Sequence, residues 1–129
     1  MNQNNPPTEH ILACLSSSPS NAKIVRTAAT MAKAFGGTFT ALYVRTPDSD
    51  QMGKEDCRRL QQHIRMAEQA GADISTIYGD DIPQQIAEFA RISGITRIVL
   101  GQSSAIQKHL FGKPTLTQLL LSYVPELDI

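Results

Sequence analysis

The chain has no tryptophan, and aromatic residues make up only 5% of its 129 residues. That argues against the stacked aromatic platform with which proteins hold single-stranded nucleic acid. It also lacks an excess of either charge: twelve basic residues balance twelve acidic ones. Affinity for nucleic-acid polymers in general is therefore not expected. Cysteine is scarce. Cys14 falls in an apolar run and Cys57 in a polar one, with no CxxC and no Cys/His cluster, so a reducing, cytoplasmic environment is expected. No apolar run approaches the length of a membrane span, so direct membrane contact is not expected. The start, Met1 to Thr8, is polar with Pro6-Pro7; it reads as a linker or tail and carries no leader pattern. A Gly-x-Ser-x-Gly elbow is absent, and no nucleophile–base pair emerges, so no catalytic residue is assigned. His10, His63 and His109 make no metal spacing with one another, so no metal site is assigned.

What is present is an alternation of apolar runs and helical stripes. His10 to Leu15 reads as a first strand. Asn21 to Phe35 follows with Val25, Ala28, Ala29, Ala32 and Phe35 on one helical face, and Gly36-Gly37 stops it. Thr38 to Val44 is β-branched and aromatic, a second strand. After a polar loop, Glu55 to Ala70 is a second helix with Leu60, Ile64 and Ala67 inward; Asp73 to Tyr78 is a third strand. Asp80, Asp81 and Pro83 suit a helix start, and that helix is expected to bury Ile82, Ile86, Phe89 and Ala90 before Gly94 ends it. Arg97 to Leu100 is a fourth strand, Gln102 to Pro114 a long loop and Thr115 to Tyr123 a fourth helix. Repeated helix–glycine–strand units predict βαβ crossovers and an α/β fold with a doubly wound, five-stranded parallel sheet. Its fifth strand would begin at Leu127-Asp128-Ile129, where the chain ends. The expectation is one domain over residues 9–129, cut from a longer protein, with 1–8 as linker.

In such a fold ligands sit at the carboxyl ends of the strands. Two segments are candidates there. Ser16-Ser17-Ser18 ends the first strand; Ser18, Ser20 or Asn21 could cap the next helix, yet three consecutive serines exceed what capping needs. Phe39-Thr40-Ala41-Leu42-Tyr43-Val44 forms the second strand. Phe39 and Leu42 suit a doubly buried strand. Ala41 leaves room for a flat ring, Tyr43 offers an aromatic face and a hydroxyl, and Val44 could present backbone groups to a base edge.

The loop after strand four is the third candidate. Gly101, Ser103, Ser104, Gly112 and Lys113 surround it, and no acidic residue occurs from Phe89 to Pro125. Glycines and backbone N–H groups near a helix start suit phosphate; turn glycines and solvated lysines are the plain alternative. It is not a P-loop: Gln107 stands where the leading glycine belongs, and Pro114 follows Lys113 where a hydroxyl is required. His63 and the charged residues Glu55, Asp56, Arg58, Arg59 and Arg65 read as a solvated helix face, and Cys14 as a small core residue.

From His10-Ile11-Leu12 through Arg97-Ile98-Val99-Leu100-Gly101 to Pro125-Glu126-Leu127-Asp128-Ile129, the chain resembles universal stress protein domains, and more closely those inside potassium-responsive sensor histidine kinases of the KdpD type. ATP-binding members carry an Asp after strand one and a Gly-x-x-Gly-x9-Gly-Ser/Thr loop. Here Ser16 replaces the Asp, Ser104 the second glycine, and Lys113-Pro114-Thr115 follows Gly112. By contrast, members that bind cyclic di-AMP resemble Ser-x-Ser-x20-Phe-Thr-Ala-x-Tyr, and Ser16, Ser18, Phe39, Thr40, Ala41 and Tyr43 match it. The resemblance implies a regulatory, non-enzymatic domain with cyclic di-AMP as ligand and no required cofactor. Other domains of a parent sensor kinase are its implied protein partners, a homodimer is left open, and transporter expression is the implied output. An ATP-binding domain with weak or no ATPase activity, and a module that only mediates dimerisation or protein contacts, stay open as alternatives.

Overall fold

The computed structural model describes residues 9–100. Strand β1 (His10–Cys14), helix α1 (Asn21–Phe35), β2 (Thr38–Arg45), a short 3-10 turn (Ser49–Gln51), α2 (Lys54–Gln69), β3 (Asp73–Tyr78), α3 (Ile82–Ser93) and β4 (Arg97–Val99) follow in order. The expected fourth helix and fifth strand lie outside the described residues. All strand pairs are parallel, in the order β3-β2-β1-β4. The chain winds outward through β2 and β3, then returns to the far side of β1, so the order reverses between β1 and β4.

The period of two in the strands decides which helix goes where. Ile11, Ala13, Phe39 and Ala41 face Val25, Ala28 and Ala32 of α1 and Leu60 and Ala67 of α2. Leu12, Leu42 and Ile98 face Ile86, Ala87 and Ala90 of α3. β1 and β2 are thus apolar on both faces, as a doubly covered parallel sheet requires. Fully burying a side chain such as Ile11, Leu12 or Leu42 contributes about 1.5–3 kcal/mol.

The ends of the helices follow local chemistry. Gly36 and Gly94 take left-handed φ values of 66° and 68° and close α1 and α3. Asp81 caps α3 by accepting the Gln84 N–H at 3.2 Å, while Asp80 is exposed. Four expectations are corrected. Phe35 is exposed at the last turn of α1, where the Arg97 guanidinium stacks 4.7 Å from its ring centre. Ile82, the first residue of α3, is 40% exposed because it stands at the lip of a cleft. Phe89 is only partly buried against the α3 core. His63 is buried, not solvated: it falls on the inward stripe of α2 between Leu60 and Ala67.

Candidate functional site

A cleft of about 360 Å³ opens at the carboxyl ends of the strands, the position at which open α/β sheets bind ligands. One wall is the loop after β1, Ser16, Ser17, Ser18 and Ser20, with Asn21 behind it. A second is the end of β2 and its loop: Tyr43, Val44, Thr46, Ser49 and Met52. The third is apolar, Ile82, Pro83 and Ile86 of α3 with Leu100 after β4. None of the described lining residues carries a formal charge. Among the described residues no group of three or more His, Cys, Asp or Glu could hold a metal ion.

The serine loop is held by the protein on its own terms. No serine side chain caps α1: Ser20 occupies the cap position without a side-chain hydrogen bond. The hydroxyls bond to the loop itself. Ser16 Oγ accepts the Ser18 N–H at 3.2 Å, and Ser18 Oγ and Ser20 Oγ lie 2.9 Å apart. The first turn of α1 is closed by backbone instead, Asn21 N–H to the Ser18 carbonyl at 2.9 Å. Asn21, 4% exposed, bridges the loop: its Nδ2 donates to the Cys14 carbonyl at 2.9 Å and its Oδ1 accepts the Ser16 N–H at 3.1 Å. From α2, His63 Nδ1 lies 2.8 Å from the Ser16 carbonyl and Arg59 Nη1 donates to the Ser17 carbonyl at 2.9 Å. Arg59 is thus more than a member of a solvated face. The loop after β2 is self-braced: Ser49 Oγ donates to the Thr46 carbonyl at 2.8 Å and accepts the Thr46 N–H at 2.9 Å. At the cleft floor, burial pushes the Cys14 thiol up to about 12.

Of the candidate ligand residues, Ser16, Ser18, Tyr43 and Val44 are brought together in this cleft. Ala41 is not: it is fully buried and packs in the core beneath α1 and α2, on the same face as Tyr43. Phe39 and Thr40 lie toward the opposite end of β2, paired with Ile11 and Leu12. Gly101, Ser103, Ser104, Gly112 and Lys113 lie outside the described residues. Sequence reasoning missed His63, Arg59, Thr46, Ser49, Met52 and the apolar α3 wall, and weighed Asn21 only as a cap. For His63 a signal existed: its spacing from Leu60 and Ala67 puts it on the apolar stripe.

A sequence model of the Universal stress protein family matches residues 7–122. The chain belongs to the universal stress protein family. It is 34% identical over 116 residues to the sensor protein KdpD of Clostridium acetobutylicum, covering 88% of this chain and 13% of that protein. It is 26% identical over 118 residues to the sensor protein KdpD of Escherichia coli, 92% of this chain and again 13% of the relative. The chain thus spans about an eighth of the length of these curated relatives. Among solved structures, a universal stress protein in complex with cAMP superposes with a TM-score of 0.70 at 16% identity, covering 96% of both chains. The universal stress protein UspA of Lactobacillus plantarum gives 0.64 at 21% identity, covering 97% of this chain and 98% of the other. These likenesses establish the doubly wound fold of the universal stress protein domain. No described helix is long and apolar enough to cross a membrane.

Proposed function

We propose that this universal stress protein domain is a non-enzymatic nucleotide sensor that binds cyclic di-AMP. In this reading it acts on the cytoplasmic side of a KdpD-type sensor histidine kinase and lowers potassium-transporter expression when occupied. The observation that carries it is the cleft at the carboxyl ends of β1 and β2, lined by Ser16, Ser18, Tyr43 and Val44. One adenine would lie against Tyr43 and Val44, with Ala41 acting from the core behind Tyr43. The serine wall would meet phosphodiester oxygens through hydroxyls and N–H groups, completed by Gly101, Ser103, Ser104, Gly112 and Lys113. Two structurally similar universal stress proteins carry adenine nucleotides, cAMP in one and dAMP in another, which supports adenine as the recognised base.

Cyclic di-AMP is preferred over ATP because Ser16 stands where ATP-binding relatives carry Asp, and no carboxylate lines the described cleft. A magnesium-bound triphosphate would find no acidic partner for its metal there. Calorimetry of the chain against cyclic di-AMP, ATP and cyclic di-GMP tests the reading. The expected result is saturable binding of cyclic di-AMP that chelator leaves unchanged, with ATP weaker and cyclic di-GMP silent. No heat from cyclic di-AMP at high micromolar concentration would overturn it, and tight metal-dependent ATP binding would replace it with the ATP-binding alternative.

A further inference from the structure

His63 and Arg59 belong to α2, yet they spend polar atoms on the loop after β1. His63 is 4% exposed, and it and Asn21 are the buried polar residues among those described. A carbonyl oxygen only accepts, so the His63 nitrogen facing the Ser16 carbonyl at 2.8 Å is the one that carries the proton. Arg59 Nη1 reaches the Ser17 carbonyl at 2.9 Å while the Asp56 carboxylate holds the same nitrogen at 3.1 Å. These bonds span 47 and 42 residues of sequence, so they tie the serine loop to a helix that is not its neighbour in the chain.

We propose that His63 and Arg59 are positioning residues of the ligand site, which orient the Ser17 and Ser18 amides for a phosphate and so make α2 the helix that responds to occupancy. The inference rests on the nucleotide-binding reading. The described backbone contains no cis peptide, and a trans peptide places its N–H opposite its carbonyl. Holding the Ser16 and Ser17 carbonyls from the α2 side therefore turns the N–H groups of Ser17 and Ser18 away from α2. The Ser18 N–H rests on Ser16 Oγ at 3.2 Å, and the Ser17 N–H has no hydrogen-bond partner among the described residues. The Ser17 N–H is thus open to an anion, and the Ser18 N–H joins it by exchanging Ser16 Oγ for the ligand. Helix α2 is also joined to the cleft at its start, since Met52 lines the cleft two residues before Lys54 opens the helix. A change at the serine wall and a change at the β2 wall both reach the same helix.

The test uses His63→Asn, which keeps a donor near the position of Nδ1, and His63→Leu, which keeps bulk and removes it. Amide hydrogen exchange of the ligand-free chain is the first readout, and calorimetry with cyclic di-AMP the second. His63→Leu should accelerate exchange selectively across residues 16–20 and weaken cyclic di-AMP about tenfold, the loss of one well-placed hydrogen bond; His63→Asn should restore both. Unchanged exchange in His63→Leu, or Asn and Leu variants that behave alike, overturns the proposal. If the wild-type chain binds no cyclic di-AMP, the functional reading fails, and the exchange pattern alone still decides whether α2 holds the loop. Should His63→Leu not fold, Arg59→Met against Arg59→Lys carries the same comparison at a half-buried position.

Discussion

The side-chain amide of Asn21 spans the serine loop to donate to the carbonyl of Cys14, at 2.9 Å. The last residue of β1 and the first of α1 are thereby clasped, and the Ser16 N–H fills the other side of the amide at 3.1 Å. Replacing Asn21 with Leu leaves both backbone groups without their partner, a loss of about 2–4 kcal/mol in unfolding free energy. Asn21→Asp keeps an acceptor for the Ser16 N–H but sets a buried carboxylate oxygen against the Cys14 carbonyl, so it should cost at least as much as the Leu variant. Urea denaturation of the two variants checks the order; equal midpoints for Leu and wild type would remove the clasp from the account.

The glycine pair after α1 divides two physical effects. Gly36 holds φ 66°, and nothing lies within 4 Å of a Cβ placed there, so Gly36→Ala should cost only about 1 kcal/mol of left-handed strain. A Cβ on Gly37 would stand 2.1 Å from the Glu9 carbonyl oxygen, in backbone that is itself bonded to the Thr38 N–H at 2.9 Å. Gly37→Ala should therefore lose about 3 kcal/mol or more. Thermal melting of the pair tests the ranking, and a Gly37→Ala protein as stable as Gly36→Ala would contradict it.

The sheet was readable because its signals are local: period-two strands, period-3.6 stripes and glycine stops recur at Gly36, Gly71 and Gly94, all three with positive φ. The cleft was readable only in part. Ser16, Ser18, Tyr43 and Val44 lie near strand ends, and fold class alone places those together. His63 reads as solvated in the sequence because a polar residue on a helix usually is, and its partner, the Ser16 carbonyl, is a backbone group that no side-chain pattern records. On sequence alone Ala41 reads as a ring contact because it is small and near the strand end. Its parity with Phe39 instead sends it under α1, where a small side chain lets the helix approach.

The two thiols should differ sharply in reactivity. Cys57 is exposed on α2. Cys14 touches the cleft floor but sits among Leu12, Leu42 and Ile86, and burial pushes its thiol up to about 12. Desolvation disfavours the thiolate, so Cys14 stays protonated at neutral pH and gains reactivity only as pH rises. Alkylation at pH 8 should label Cys57 first, with Cys14 at least about tenfold slower for want of thiolate. Peptide mapping by mass spectrometry gives the two rates; equal rates would mean that the cleft floor is wetter than its apolar lining indicates.

Tyr43 and Ala41 share one face of β2, and only Tyr43 reaches the cleft. Two substitutions separate touching the ligand from backing the residue that does. Tyr43→Phe removes a hydroxyl at the cleft wall and leaves the ring packed, so stability should move by less than about 0.5 kcal/mol. If the hydroxyl bonds the ligand, cyclic di-AMP affinity falls about tenfold. Ala41→Leu forces extra methyl groups into a close-packed site, at a cost of about 1–3 kcal/mol, and shifts α1 or Tyr43 to make room. It should weaken binding and stability together, with a lower urea midpoint before ligand is added. A Leu variant that binds poorly yet unfolds like wild type would instead place Ala41 in direct contact with the ligand, and would require the wall between α1 and β2 to open on binding.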